Sequence, residues 1–342
     1  NDDITKKVLA EYTHAQRMVT HEAQLAVIKT ITTNRKIPMN VLNRKQAEAP
    51  DTCEVIVNRI GTAPGMWFEY GGAVLVSLPG VPFEMQALMD DVLLKLQQRF
   101  KLSAIFHRTL MTYGLPESIL AERIAPWENA LPPHIKLAYL PNPSTGVKLR
   151  LSVYDVQSDT VAAECEAQVA RLRALLGDII YGEELDTLEQ TVGKLLREKG
   201  ATVAVAESCT GGRIASLLTS VAGCSAYFKG AIVAYDNAVK TSMLGVRLDT
   251  LQTYGAVSLP VVEQMATGVK QALRTDYAVA TSGVAGPDGG TPEKPVGTVC
   301  IAVASSAGVA SEQLYFSTDR QRNIERASAS ALNMLRITLL KN

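Results

Sequence analysis

Ser208 and Cys209 stand where a nucleophile would be useful. The β-branched, apolar run Thr202-Val-Ala-Val-Ala206 ends abruptly in Glu207-Ser-Cys-Thr-Gly-Gly212, and Ile214-Ala-Ser-Leu-Leu218 resumes with helical character. That pattern predicts a buried strand, a tight turn and a helix start. Such a turn lifts a side chain off a sheet edge and leaves the first N–H groups of the helix free to meet an anion. A serine or cysteine there reacts only if a base takes its proton. The chain has four histidines, His14, His21, His107 and His134, and none follows position 134. A Ser–His–Asp triad, a Cys–His pair or a His-rich zinc site within the region around Ser208 is therefore excluded by inventory. The proton must go to a lysine, a carboxylate or a tyrosinate. Tyr235-Asp-Asn-Ala-Val-Lys240, at the end of another apolar run, offers candidates of each kind. A lysine withdrawn from water loses its proton more readily and then serves as a general base.

Each of these residues also has a plainer reading. Serine after a strand commonly caps a helix, and Cys209 fits as small core filler. Tyrosine packs at strand ends, and a helix lysine is ordinarily solvated. The N–H groups of the 208–212 turn, or of Thr281-Ser282-Gly283, would supply the fixed donors that a developing oxyanion needs. Gly211, Gly212 and Gly283 serve either that close approach or merely positive φ and tight packing. Thr210 reads as a cap or as a phosphate contact. Arg320 opens the last helix and suits a planar phosphate contact, with a solvated face as the alternative. Arg322 reads more as surface, and Lys294 lies in a long Gly/Pro loop over 283–297 that suits binding or a lid.

Composition bounds the rest. The chain has 342 residues, 47% of them hydrophobic and 20% charged, with a formal net charge of zero. That is ordinary for a soluble protein of two or three domains and gives no global field for nucleic acid or membrane. The five scattered cysteines lack CxxC spacing, as expected of reduced thiols in a cytoplasmic protein. No apolar span reaches the length a membrane helix needs, and no signal peptide is evident.

The elements that position these residues follow a clear order. Helices are expected over 5–16 and 20–34, a polar helical segment at Asn43-Arg-Lys-Gln-Ala47, and strands near 54–58 and 73–78. Turns at 60–65 and 78–85 precede a helix ending near Phe100. From His107 to Gly182 the order strand–helix–strand–strand–helix predicts a small α+β connector without a chemical motif of its own. From Thr187 a compact α/β domain alternates helices with strands at 202–206, 227–234 and 277–282. Strands at 298–304 and 309–316 and a helix over 322–340 close it.

The chain resembles the CinA family of competence/damage-inducible proteins over nearly its whole length. Ala206-Glu-Ser-Cys-Thr-Gly-Gly212, Ala234-Tyr-Asp-Asn237 with Lys240, Gly255-Ala-Val-Ser258, Ala280-Thr-Ser-Gly-Val-Ala-Gly-Pro287 and Gly289-Gly-Thr-Pro-Glu-Lys-Pro-Val-Gly-Thr298 carry the likeness in its C-terminal part. Asn1-Asp-Asp-Ile-Thr5, Asn43-Arg-Lys-Gln-Ala47, Gly61-Thr-Ala-Pro-Gly65 and Leu78-Pro-Gly-Val-Pro82 carry it in the N-terminal part, which resembles the family's MoaB/MogA-like domain.

The resemblance implies a multidomain α/β protein: an N-terminally incomplete MoaB/MogA-like domain over 1–105, the connector over 106–183 and an amidohydrolase domain over 184–342. It implies conversion of nicotinamide mononucleotide to nicotinate mononucleotide and ammonia, in pyridine nucleotide salvage, by a serine/lysine mechanism that needs no cofactor. Ser208, Tyr235 and Lys240 would be catalytic, with Tyr235 hydrogen-bonding between the other two. Thr210, Gly211, Gly212, Thr281, Ser282, Gly283 and Arg320 would bind substrate. A homodimer in the cytoplasm, without membrane or nucleic-acid partners, is the expected setting. Two rival readings stand beside it. One is a metal-dependent ADP-ribose pyrophosphatase in the N-terminal domain, with Asp2 and Asp3 as candidate ligands for a divalent cation. The other is a non-enzymatic pterin- or nucleotide-binding module. Asn43, Arg44 and Lys45 would contact a nucleotide there or form a solvated helix face.

Overall fold

The computed structural model describes residues 4–101, 105–142, 145–154, 159–316 and 319–342. The chain divides into two compact units, Asn1–Leu102 and Ser103–Asn342.

Unit 1 runs α1 (Ile4–Tyr12), β1 (Met18–Thr20), α2 (Glu22–Asn34), α3 (Val41–Gln46), β2 (Glu48–Pro50), β3 (Cys53–Ile56), β4 (Gly65–Tyr70), β5 (Ala73–Ser77) and α4 (Pro82–Arg99). β1 pairs antiparallel with β2, and β3-β4-β5 form an antiparallel meander. Trp67 and Ile56 of the meander pack on Leu88 and Val92 of α4. Buried side chains hold the expected 60–65 turn from inside. Asn58 Oδ1 accepts from the N–H groups of Ile60 and Gly61, Asn58 Nδ2 donates to Glu84 at 2.7 Å, and Gln24 Nε2 donates to Gly61 O. The short strands β1 and β2 escape sequence reading because three residues carry no period.

Unit 2 holds two sheets. The first is built by β6 (Ile105–Thr112), α5 (Glu117–Asn129), β7 (Ile135–Asn142), β8 (Gly146–Tyr154), α6 (Asp159–Leu176) and β9 (Ile180–Glu183). Its strand order is β7-β8-β6-β9, and one face packs on α5 and α6 through Leu110, Leu149, Leu151, Leu120 and Leu172. The strand β9, which follows α6, completes this sheet and was not anticipated.

The second sheet belongs to α7 (Leu188–Glu198), β10 (Val203–Glu207), α8 (Arg213–Thr219), β11 (Phe228–Val233), α9 (Asn237–Leu244), α10 (Leu248–Tyr254), α11 (Leu259–Leu273), β12 (Tyr277–Gly283), β13 (Thr298–Ser305), β14 (Gly308–Tyr315) and α12 (Arg320–Lys341). The order is β11-β10-β12-β13-β14, with β11, β10 and β12 parallel and the last two antiparallel. β10 is buried at every position, which is why it reads as a continuous apolar run. Val203 and Val205 face α7, α8 and α12, whereas Ala204 and Ala206 face α9, α10 and α11. The small residues on that second face suit close packing. A Cβ on Gly268 of α11 would fall on Leu244 O at the end of α9.

This topology decides where a site forms. In open parallel sheets ligands bind beyond the carboxyl ends of the strands. Glu207 pairs with Val233 on one side and Thr281 on the other, so β10, β11 and β12 end together. Ser208, Tyr235 and Ser282 all follow or finish those strands.

Candidate active site

A cavity of about 220 Å³ lies at those strand ends. Seven of the residues singled out in the sequence line it: Ser208, Cys209, Tyr235, Lys240, Ser282, Gly283 and Arg320. Asn237, Ala256, Val257 and Ala285 complete the lining. These four belong to quoted motifs to which the sequence assigns no role.

Lys240 departs most from its residue type. It lies on α9 yet is 1% exposed, and its amine donates to Ala234 O at 2.8 Å and Tyr235 O at 3.2 Å. Burial holds its pKa below that of an ordinary lysine, partly opposed by the Asp236 carboxylate and by Cys209. A neutral amine has two N–H donors and one lone pair. With both donors given to carbonyls, the lone pair is left for an incoming proton. Ala234 N–H in turn donates to Glu207 O at 2.8 Å, so the backbone of the Ser208 turn fixes the strand end that holds the lysine.

The turn itself is closed from within. Ser208 N donates to Thr281 O, Gly211 N to Ser208 O, and Arg213 N to Thr210 O. Glu207, fully buried, accepts from Gly212 N at 3.0 Å, Ile214 N at 3.1 Å and Ala215 N at 2.9 Å. The carboxylate of the chain itself therefore occupies the start of α8, where an anionic substrate group was expected. Among the described residues, Cys209 N–H and Thr210 N–H are the donors of this turn without a partner. Sequence reading passed over Glu207 because an acid after an apolar run looks like a solvated turn residue. Glu207→Leu would strand three N–H groups at about 1–3 kcal/mol each. Against a domain stability of about 5–15 kcal/mol, a lower urea midpoint is expected, and an unchanged midpoint would refute the capping role.

Other expected contacts fall elsewhere. The Thr210 hydroxyl shares a 2.7 Å hydrogen bond with Thr281 beneath the turn, and neither residue lines the cavity. Gly211 and Gly212 also lie outside the lining, at φ of 58° and 99°, and their positive φ accounts for glycine at both positions. The Tyr235 side chain is 64% exposed, and its hydroxyl accepts from Arg320 Nη2 at 3.2 Å. Among the described residues no hydrogen bond joins that phenol to Ser208 or Lys240. Tyr235 meets the lysine through its carbonyl. Arg320 Nη1 donates to Gly286 O at 2.6 Å, Asn323 Nδ2 donates to Ala285 O, and Lys294 donates to Tyr254 O, which fastens the 283–297 loop beside the cavity. Ser282 donates to Ala256 O. Arg322 pairs with Asp319 on the surface. Burial pushes the Cys209 thiol up to about 12, so it is a poor thiolate.

In unit 1, Asn43 completes a capping box with Asn40, while Arg44 and Lys45 are exposed on α3. Asp2 and Asp3 lie outside the described residues. Among the described residues no group of three His, Cys, Asp or Glu is placed to hold a metal. None of their helices is long and apolar enough to cross a membrane.

Comparison with known proteins agrees along the chain. Residues 185–339 match the family described as the CinA C-terminal domain, and residues 107–182 match the damage-inducible protein CinA KH domain. Gly114, Gly146, Gly177 and Gly182 are the glycines of that second stretch, and no two have the G-x-x-G spacing of a nucleotide-clamping KH loop. A CinA-like protein of Cytophaga hutchinsonii is 48% identical over 98% of this chain and 80% of its own length. One from Flavobacterium psychrophilum is 45% identical over 100% and 82%. The solved competence/damage inducible protein CihA of Agrobacterium tumefaciens is 41% identical, covering 45% of this chain and 93% of its own, at a TM-score of 0.44. The strand-end turn, its buried lysine and the last helix fall within the first matched stretch, and the relatives run the length of both units: the chain belongs to the CinA family.

Proposed function

We propose that this protein is a nicotinamide-nucleotide amidohydrolase, releasing ammonia from nicotinamide mononucleotide at the cavity beside Ser208. The observation that carries this reading is the Lys240 amine, buried, lowered in pKa and bonded to two carbonyls, in the same cavity as a serine and without any histidine. Lys240 takes the Ser208 proton as Oγ attacks the carboxamide carbon. The N–H group of Cys209, on the cavity wall, meets the oxyanion. The Lys240 ammonium returns its proton to the departing NH₂, giving ammonia and an ester on Ser208. Water, deprotonated by the same amine, then cleaves the ester to nicotinate mononucleotide. The Ser208 hydroxyl makes no hydrogen bond among the described residues, and the mechanism requires it to meet the amine once substrate fills the cavity.

With the start of α8 occupied by Glu207, the substrate phosphate falls to Arg320, whose present acceptors are a neutral carbonyl and a phenol. Exchanging these for a phosphate gains a charge-assisted pair. Arg320→Ala is expected to raise KM about 10- to 100-fold with a smaller change in kcat. An unchanged KM would place the phosphate elsewhere. The reading as a whole is tested by assaying ammonia from nicotinamide mononucleotide in EDTA. Steady release supports it, and release that requires added metal overturns it.

A further inference from the structure

Unit 2 holds a second, larger cavity, of about 920 Å³, between the edge of the β11-β10-β12-β13-β14 sheet and the first sheet. Its origin lies in the width of that sheet. α12 covers β12 and β13, and β14 continues beyond it. Ala310 of β14 pairs with Val303 of β13, which packs with Leu332 and Leu335 of α12. Ala310 and its alternates Glu312 and Leu314 therefore share the face that α12 occupies on the neighbouring strands. The segment from Tyr113 to Pro116 ahead of α5 and the start of β8 form the opposite wall.

One group on this lining is left incomplete. Arg326 of α12 is half-buried, and its Cζ lies 4.8 Å from the centroid of the Phe316 ring. Among the described residues it has no ion pair or hydrogen bond. Other guanidinium groups withdrawn from water in unit 2 are satisfied by the chain itself. Arg336 donates to Asp178 O and Asn333 Oδ1, and Arg108 is paired with Glu166, Glu183 and Glu184. Glu117 and Glu312 also line the cavity, but both are exposed and neither pairs with Arg326. Stacking on the ring fixes the guanidinium plane and leaves its N–H edge for two parallel bonds to an oxyanion. A charge drawn partly out of water without its opposite favours such a partner.

We propose that this cavity binds a small organic monocarboxylate, its carboxylate on Arg326 and its apolar body against Leu314, Met334 and Ile337. The volume suits a small-molecule site, which is mostly apolar with a few placed polar groups. One guanidinium balances one negative charge and two oxygens. A phosphate monoester carries about −1.5 to −2 at neutral pH, and Lys341, the other cation among the described lining residues, is exposed. The cavity shares no described residue with the one beside Ser208, so the proposal does not depend on the amidohydrolase reading.

The test is equilibrium dialysis of the whole chain against naphthoate, with naphthamide, naphthyl phosphate and acetate as comparisons. Naphthoate is expected to bind with a Kd of about 0.1–1 mM. The uncharged amide should bind at least about tenfold more weakly, the phosphate more weakly than the carboxylate, and acetate not measurably. Arg326→Ala should weaken naphthoate to the level of the amide, and Arg326→Lys, which keeps the charge but loses the fork, should fall between. Ala310→Trp, at an exposed position on the cavity wall, should abolish binding by filling the space. Arg320→Ala, in the other cavity, should leave it unchanged. Circular dichroism and thermal unfolding identical to wild type show that the variants are folded, and Ala310→Trp decides the matter if Arg326→Ala is not. No binding of naphthoate, equal binding of the amide, tighter binding of the phosphate, binding undiminished in Ala310→Trp, or binding lost in Arg320→Ala but not in Arg326→Ala overturns the proposal.

Discussion

Ser208→Ala is expected to lower ammonia release from nicotinamide mononucleotide by about 10⁴-fold or more, the scale on which a covalent route collapses when its nucleophile is removed. The residual rate comes from the oxyanion donor and from binding, which the substitution leaves in place. Folding should be unaffected, because the Ser208 hydroxyl makes no hydrogen bond among the described residues and its backbone N–H still donates to Thr281. The rival nucleophile is the neighbouring Cys209. Its thiol is buried and pushed up to about 12, leaving almost no thiolate near neutrality. Cys209→Ala should therefore retain most activity. If the two variants exchange these outcomes, the nucleophile is the thiol.

Lys240→Met is expected to lower kcat by about 10²- to 10⁴-fold, the usual contribution of a positioned base. Lys240→Arg should be no better, since a guanidinium does not give up its proton in this range. The pH dependence carries more information than the loss. The amine is competent only when neutral, so kcat/KM should rise with pH through the pKa of Lys240. Burial lowers that pKa, so the rise should come well below the pH at which an ordinary lysine titrates. The same shift makes the folded state bind fewer protons than the unfolded one. Stability should then increase with pH between the lowered value and the ordinary lysine value. A flat rate profile, or one rising only where free lysine titrates, would remove Lys240 from the role of base.

Much of this site was legible because local pattern and topology agree. The apolar 202–206 run, with two glycines closing the turn after it, identifies the strand and turn, and the missing histidines leave a lysine, a carboxylate or a tyrosinate as the base, Lys240 among them. What stayed hidden was nonlocal. Glu207 looks like a surface acid until the start of α8 folds over it. The hydroxyls of Thr210 and Thr281 meet across 71 positions, and Arg320 reaches a phenol 85 positions away, so neither pairing has a sequence period to reveal it. Lys240 shows the limit from the other side, because helix lysines are ordinarily solvated. Its burial follows from α9 sitting on the strand ends, which spacing from Tyr235 hints at but does not establish. The helix α10, seven residues long and set between Gly245 and Gly255, is too short to show a helical period.

Acid quenching during turnover, followed by mass spectrometry of the protein, tests the serine–amine mechanism most directly. A nicotinate mononucleotide ester, heavier than the protein by that nucleotide less one water, should appear on Ser208. It should persist in Cys209→Ala and vanish in Ser208→Ala. An adduct on Cys209, or ammonia release by an enzyme that never carries an adduct and keeps its rate in Ser208→Ala, would contradict the mechanism.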